Sequence, residues 1–117
     1  RIAHTRNQQR RHCSQCRRQS GAPVAAFATY AADKVSFEQG ALSWYRSSDI
    51  AQRGFCSACG TAMAWRGDAH PDWLDLGVGT FDDASHFTLQ DHVWHGSALP
   101  WLHIDDGLPR YTRERKS

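Results

Sequence analysis

Long hydrophobic runs are absent from this 117-residue sequence. No stretch approaches the ~18–20 apolar residues that cross a membrane as a helix, so a helical membrane span is excluded. The N-terminus is polar and arginine-rich and lacks the apolar core of a secretory signal. A clean 3.6-residue period is missing from every window of about eleven residues, which leaves room only for short helices. Linkers and low-complexity segments are missing as well. Acids are absent from the first eighteen residues, where Arg1, Arg6, Arg10, Arg11, Arg17 and Arg18 fall. Bases are absent from Gly67 to Pro109, where eight aspartates fall.

The composition that remains is that of one globular domain, 1–117. Hydrophobic residues make up 40% and charged residues 22%, enough to bury a core without disulfide staples. The chain opens on Arg1, so an N-terminus cut short is expected. The net charge of +2 hides an asymmetry: residues 1–66 carry ten Lys/Arg and three Asp/Glu, residues 67–117 four and nine. A basic stretch of this kind can meet an anion or nucleic acid. No nucleic-acid motif accompanies the arginines, so the favoured reading is neutralisation of one half by the other across the fold.

The periodicity is that of β structure. Val24–Tyr30 is a short run rich in strand formers, and Val35–Phe37 and Leu42–Trp44 alternate apolar and polar residues. Ala32–Lys34 reads as a hairpin loop between the first two runs, and Gln39–Gly40 as a second turn. Thr61–Trp65 and His92–His95 are further candidate strands. Trp73–Thr80 puts Leu74, Leu76 and Val78 on one face and Asp75 with glycines on the other. Helix is expected as a turn or two near Asp82–Ser85. The charged tail Thr112–Ser117 reads as frayed. Trp44, Trp65, Trp73, Trp94 and Trp101 read as core filling. His70, His86, His92, His95 and His103 show no metal-ligand spacing and read as structural or exposed. Gly107 and Pro109 make Asp105-Asp106 a turn rather than a carboxylate pair.

All four cysteines lie in two C-x-x-C units, Cys13–Cys16 and Cys56–Cys59. A two-residue spacer lets both sulfurs of a tight turn converge on one ion while the turn's N–H groups donate to them. Gly60, directly after Cys59, suits the left-handed backbone that such a turn needs. Zinc is the leading reading of the pattern. Disulfides lack a secretory context, and a redox pair lacks a βαβ setting. The simplest geometry is one closed four-cysteine site, which would be structural.

The segment Cys13-Ser14-Gln15-Cys16-Arg17-Arg18-Gln19-Ser20-Gly21-Ala22-Pro23 resembles the signature of the glutathione-dependent formaldehyde-activating enzyme family, which includes the centromere protein V branch. Further stretches resemble the family in the same order: Arg53–Thr61, Leu74–Asp83, His92–Trp94, Pro100-Trp101 and Asp106–Tyr111. The resemblance implies a mainly β fold, a β-tent of antiparallel sheets pinned by zinc. It implies a carbon–sulfur lyase joining formaldehyde and glutathione into S-hydroxymethylglutathione, with a small thiol such as glutathione as partner and no membrane. A cytoplasmic setting is expected.

The resemblance also implies two metal positions. Cys56 and Cys59 map to the ligands of a structural zinc that an N-terminal C-x-C pair completes. Cys13 and Cys16 map to two of the three cysteines of a catalytic C-x-C-x-x-C triad, and Arg17 and Arg18 to partners for glutathione carboxylates. This chain departs from the pattern twice. Arg11 stands where the triad's first cysteine belongs, and a guanidinium repels a metal ion. The N-terminal C-x-C is absent, and Arg1-Ile2-Ala3 reads as the remainder of the strand that follows it. His12 and His4 are the candidate substitutes for the missing ligand. The activity is therefore expected to be altered or lost. The alternative is a non-catalytic zinc-stapled β module that binds a protein or nucleic-acid partner.

Overall fold

A computed structural model describes residues 7–37 and 42–115. The turn expected at Gln39–Gly40, the strand remnant Arg1–Ala3 and His4 lie outside the described residues. Mainly β structure is what forms. The strands are β1 (Gln8–Arg11), β2 (Ala25–Ala31), β3 (Leu42–Ser48), β4 (Ala51–Cys56), β5 (Ala62–Gly67), β6 (Trp73–Gly77) and β7 (Asp91–Val93), with one α-helix, α1 (Ser14–Ser20). They build one seven-stranded sheet in the order β3-β4-β5-β6-β2-β1-β7. Strands β3 to β6 run as an antiparallel meander. β6 then pairs with β2, and β2 with β1, also antiparallel. The pairing of β1 with β7 is parallel, so the expected wholly antiparallel sheet is mixed at this edge.

Several local expectations change. Val35–Phe37 forms no strand, because β2 is taken on both sides by β1 and β6. Ala32–Lys34 is a 3-10 turn instead of a hairpin loop. The strand expected over Trp73–Thr80 ends at Gly77, the helical turn expected near Asp82–Ser85 falls just before it as the 3-10 turn Val78–Thr80, and Asp82–Ser85 itself is not helical. Helix appears at α1, where the sequence offered no apolar stripe, because only Cys16 of its seven residues is buried. The tail is tied down as far as Arg115. Main-chain N–H groups of Trp94, His95 and Gly96 donate to Arg113, Tyr111 and Thr112, and the Arg115 guanidinium meets Asp91, Asn7 and Gln90.

Both faces of the sheet centre are covered, which explains why apolar and polar residues of β2 and β6 are buried alike. Ala28, Tyr30, Ala64, Leu74 and Leu76 form the core of one face, with Trp44, Phe81 and Phe87 packed on it. Leu74 and Leu76 share that face as the alternation predicts. Asp75 faces the other way yet is buried, since α1 and its flanks cover that side. The second cluster holds Cys16, Ala25 and Phe27, with Cys13 and Trp65 against it. Trp94 and Trp101 are exposed and fill no core.

Strand register sets a row of side chains beneath α1. Arg53 of β4 pairs with Trp65 of β5, Trp65 with Asp75 of β6, and Asp75 with Thr29 of β2. Directly paired residues project to the same side of a sheet, so four strands deliver these side chains to one face. Gly54, next to Arg53, has a reason of its own. A Cβ there would lie 2.9 Å from Leu42 Cδ1 and 3.1 Å from the Trp44 ring.

Candidate thiol site

The first cysteine pair caps α1. Cys13 is the N-cap, with an extended backbone (φ −60°, ψ 147°), and its Sγ accepts the Cys16 N–H at 3.4 Å. Ser20 Oγ donates to the Cys16 carbonyl at 2.7 Å. Gly21 ends the helix at φ 69°, where a residue without Cβ is favoured, and its N–H returns to the Arg17 carbonyl. The resulting turn holds both sulfurs on one side, with Cys16 inside and Cys13 half-buried.

Two arginines face this pair. Arg53, buried at 2% exposure, donates from Nη2 to Cys16 Sγ at 3.4 Å and from Nη1 to Gln19 Oε1 at 3.3 Å. Arg11 pairs with Asp75. Its guanidinium lies 4.6 Å from the centre of the Phe27 ring and 5.3 Å from that of Trp65, the rings that pack against the two cysteines. Asp75 also accepts from Thr29 Oγ1. The electrostatics favour one charge on the pair: a hydrogen bond from Cys13, then Arg53, draws the Cys16 thiol down, and the same bond pushes Cys13 up.

The second pair sits where β4 turns into β5. The Cys56 N–H donates to the Thr61 carbonyl at 2.9 Å and the Gly60 N–H to the Cys56 carbonyl at 2.7 Å. Gly60 takes φ 78°, the left-handed backbone expected of it. Cys59 Sγ lies 3.0 Å from Thr61 Oγ1, and Cys59 is exposed. Cys56 stands three residues beyond Arg53, about 10 Å along an extended strand. Among the described residues no group of three or more His, Cys, Asp or Glu side chains is placed to hold one ion. A single site gathering all four cysteines is therefore not assembled.

Zinc needs four donors in a structural site and at least three from protein in a catalytic one. Cys56 and Cys59 fit as two thiolate ligands on a preformed turn. The surroundings of Cys13 and Cys16 do not fit in the same way. Two thiols are present, and the flanking positions carry the guanidinium groups of Arg11 and Arg53. His12 is not placed to join the two thiols as a third ligand: its Nε2 meets His92, and among the described residues no group of three such side chains surrounds one point.

That engagement is the part of the site region that spacing could not reveal. His12 Nε2 lies 2.8 Å from His92 Nδ1, and His92 Nε2 lies 2.7 Å from Asp106 Oδ2. The His95 ring stands edge-on to His12, 5.0 Å between centroids. These histidines, with Leu102, His103 and Arg110, line a cavity of about 300 Å³. They come from β7 and the ends of distant segments, so no sequence interval marks them. The turn expected at Asp105-Asp106 does form, with Gly107 at φ 67° and the Leu108 N–H on Asp106 Oδ1. Asp106 is also the partner of His92 and of Arg10.

The two arginines after Cys16 part ways. Arg17 donates to the main-chain carbonyls of His12 and Ser97 and so staples α1 to the 3-10 turn His95–Ser97. Arg18 stays exposed and lines a second cavity of about 300 Å³ with Gln15, Gln19, Tyr45, Ser47 and Arg53. The charge asymmetry is offset in part across the fold: Arg10 meets Asp106, Arg11 meets Asp75, and at the surface Arg46 meets Asp68.

A small mixed sheet with a cysteine pair capping a short helix over its buried polar face defines a thiol-bearing β protein. Comparison with protein families narrows this class. The family described as glutathione-dependent formaldehyde-activating enzyme matches residues 2–97, and the chain belongs to that family. Among curated proteins none matches the sequence.

Proposed function

We propose that this chain binds a small thiol of the glutathione type and its formaldehyde adduct at the cavity beside α1, with Cys13 and Cys16 on the far side of Arg53 from the ligand. The observation that carries the reading is that this cavity, with Arg18, Gln15, Gln19, Tyr45 and Ser47 on its walls, opens next to Arg53, whose other side holds Cys16. The arginines and amides suit the carboxylates and peptide groups of such a ligand. Arg18 is the better carboxylate partner of the two arginines mapped from the family, since Arg17 is committed to main-chain carbonyls.

The reaction of the family, in the carbon–sulfur lyase class, adds the glutathione sulfur to the formaldehyde carbon while the former carbonyl oxygen takes up a proton. The family's metal supplies Lewis-acid activation of that oxygen or holds the sulfur as a thiolate. In this chain Arg18 and the neighbouring amides orient the ligand, and acceleration above the spontaneous rate is weak or absent. A structural zinc, where present, would be held by Cys56 and Cys59. No helix among the described residues is long and apolar enough to cross a membrane, and free thiols suit a reducing compartment such as the cytoplasm.

A second reading, a non-catalytic module, draws on Arg11 at the triad's first position. Exchange NMR of the glutathione–formaldehyde equilibrium separates the two. Line broadening of glutathione by the protein, reduced in Arg18→Ala, is expected. Glutathione resonances that ignore the protein would remove the first reading and leave the second.

A further inference from the structure

Arg53 is almost wholly buried, and a guanidinium stays protonated in any folded protein. A buried cation needs an anion beside it. Among the described residues no carboxylate forms an ion pair with Arg53: the ion pairs present engage Arg10, Arg11, Arg46, Arg110, Arg115, His86 and His92. What Arg53 meets is Cys16 Sγ at 3.4 Å and the neutral Gln19 amide at 3.3 Å, and its Nε has no partner. Of these neighbours only the sulfur can carry negative charge. A second guanidinium, that of Arg11, lies on Phe27 and Trp65 in the same cluster, and Asp75 with Thr29 fixes it there.

We propose that Cys13 and Cys16 form a metal-free thiol pair whose charge is balanced by Arg53, which stands in for the metal ion, while the Arg11–Asp75 ion pair takes the place of the missing ligand. The inference rests on the proposed mapping of this pair to the family's catalytic position. It assigns the site a different chemistry. Zinc draws more electron density from a bound sulfur than a hydrogen-bonded guanidinium does, so a sulfur paired with Arg53 keeps more of its charge for a small electrophile. It also explains why Arg11 turns inward over Phe27 and Trp65 with its own carboxylate instead of pointing to solvent. The cation is built into the sheet, and its removal would leave Asp75 without its partner.

The test is elemental zinc analysis of the reduced full chain beside its Cys13→Ser and Cys59→Ser variants, with alkylation of Cys13 followed in the presence of zinc or a chelator. The expected result is a zinc content that Cys13→Ser leaves unchanged, and a Cys13 alkylation rate that neither zinc nor chelator alters. A wild-type chain with no zinc gives the same support. One equivalent of zinc released by Cys13→Ser, or protection of Cys13 from alkylation by zinc, would overturn the proposal. Titration with cobalt(II) adds an independent arm through Arg11→Cys/Asp75→Asn, which restores a third thiol and removes the stranded carboxylate. This variant should gain a Cys13-dependent cobalt–thiolate absorption beyond any that Cys56 and Cys59 give in the wild type, and a wild type already showing a Cys13-dependent absorption would again overturn it. Glutathione exchange NMR on the same samples separates the failures. Zinc at Cys13 with glutathione binding intact discards this inference alone. A metal-free pair with no glutathione response discards the functional reading alone.

Discussion

His12 Nε2 lies 2.8 Å from His92 Nδ1, although the two residues are 80 positions apart. The partner of the other His92 nitrogen fixes the protons. Asp106 accepts from His92 Nε2–H, so His92 Nδ1 is the acceptor and His12 Nε2–H the donor. His12 Nδ1 is then a buried lone pair without a hydrogen-bond partner. Protonating His12 would put a proton on this buried, unpartnered nitrogen, and protonating both rings would set two N–H donors against each other at the His12–His92 contact.

This relationship predicts a loss of stability toward acid. Burial, and then the neighbouring His92, lowers the His12 pKa from 6.5 to about 4. A depressed histidine pKa means that the unfolded chain binds the proton first. The contribution of His12 is complete above pH 6.5, declines between there and about pH 4, and is gone below. The difference corresponds to about 3 kcal/mol at most. Urea midpoints at pH 7 and pH 5 should fall accordingly, and His12→Gln should flatten the slope. An unchanged slope in that variant would assign the acid sensitivity to other groups.

Asp75→Asn should be among the most damaging single substitutions on the sheet. It leaves the Arg11 guanidinium in its buried place without a counter-charge and weakens the Thr29 bond. Breaking one side of a buried pair typically destabilises by about 3–5 kcal/mol. Thr29→Val removes one donor to the Asp75 carboxylate and should cost about 1.5–3 kcal/mol, less than loss of the counter-charge. Thermal or urea unfolding of both variants checks the order, and comparable losses would contradict a charge-based role for Asp75.

The C-terminal segment belongs to the fold as far as Arg115. Its guanidinium bridges buried Asp91, Asn7 and Gln90, joining the parallel edge of the sheet to the chain end. Arg115→Ala should destabilise by about 1–2 kcal/mol, less than a fully buried pair because the arginine is partly exposed. Arg113→Ala should be neutral, since this segment offers its main-chain carbonyl to Trp94 and the side chain is exposed. Equal effects would show the tail to be held by its backbone alone.

How much of this was legible in sequence follows from where each signal lived. β2, β5 and β6 could be read because Phe27, Tyr30, Trp65, Leu74 and Leu76 are strand formers in short apolar runs. β4 was hidden because its middle is Arg53-Gly54, a charge and a flexible residue whose reasons lie on α1 and on Trp44 across the pair. α1 was hidden because a helix that buries only Cys16 has no stripe to show. The cysteine motifs were local and could be read directly, down to the backbone of Gly60. The His12–His92–Asp106 chain was not, because each member looks unremarkable in its own segment and only the parallel β1–β7 pairing brings them together.

The last prediction contrasts the two cysteine pairs through their serine variants. At Cys13 the side chain caps α1 by accepting the Cys16 N–H, a task serine performs well. Cys13→Ser should therefore leave the melting temperature nearly unchanged. Cys59 caps no helix; its local contacts are Thr61 and Cys56, and it is exposed. Without a metal, Cys59→Ser would be as harmless as most surface substitutions, within about 0.5 kcal/mol. With a structural zinc on Cys56 and Cys59 the binding energy is part of the folding energy, and the loss should reach several kcal/mol of the ~5–15 that hold a domain together. The expected outcome is a large drop for Cys59→Ser, reproduced in the wild type by a chelator, and little change for Cys13→Ser under either condition. Gly60→Ala calibrates the measurement: at φ 78° with open space around the missing Cβ, it should lose only the ~1–2 kcal/mol of left-handed backbone strain. A Cys59→Ser loss no larger than that of Gly60→Ala, with no response to chelator, would mean that the Cys56–Cys59 turn holds its shape through Gly60 and its main-chain bonds alone.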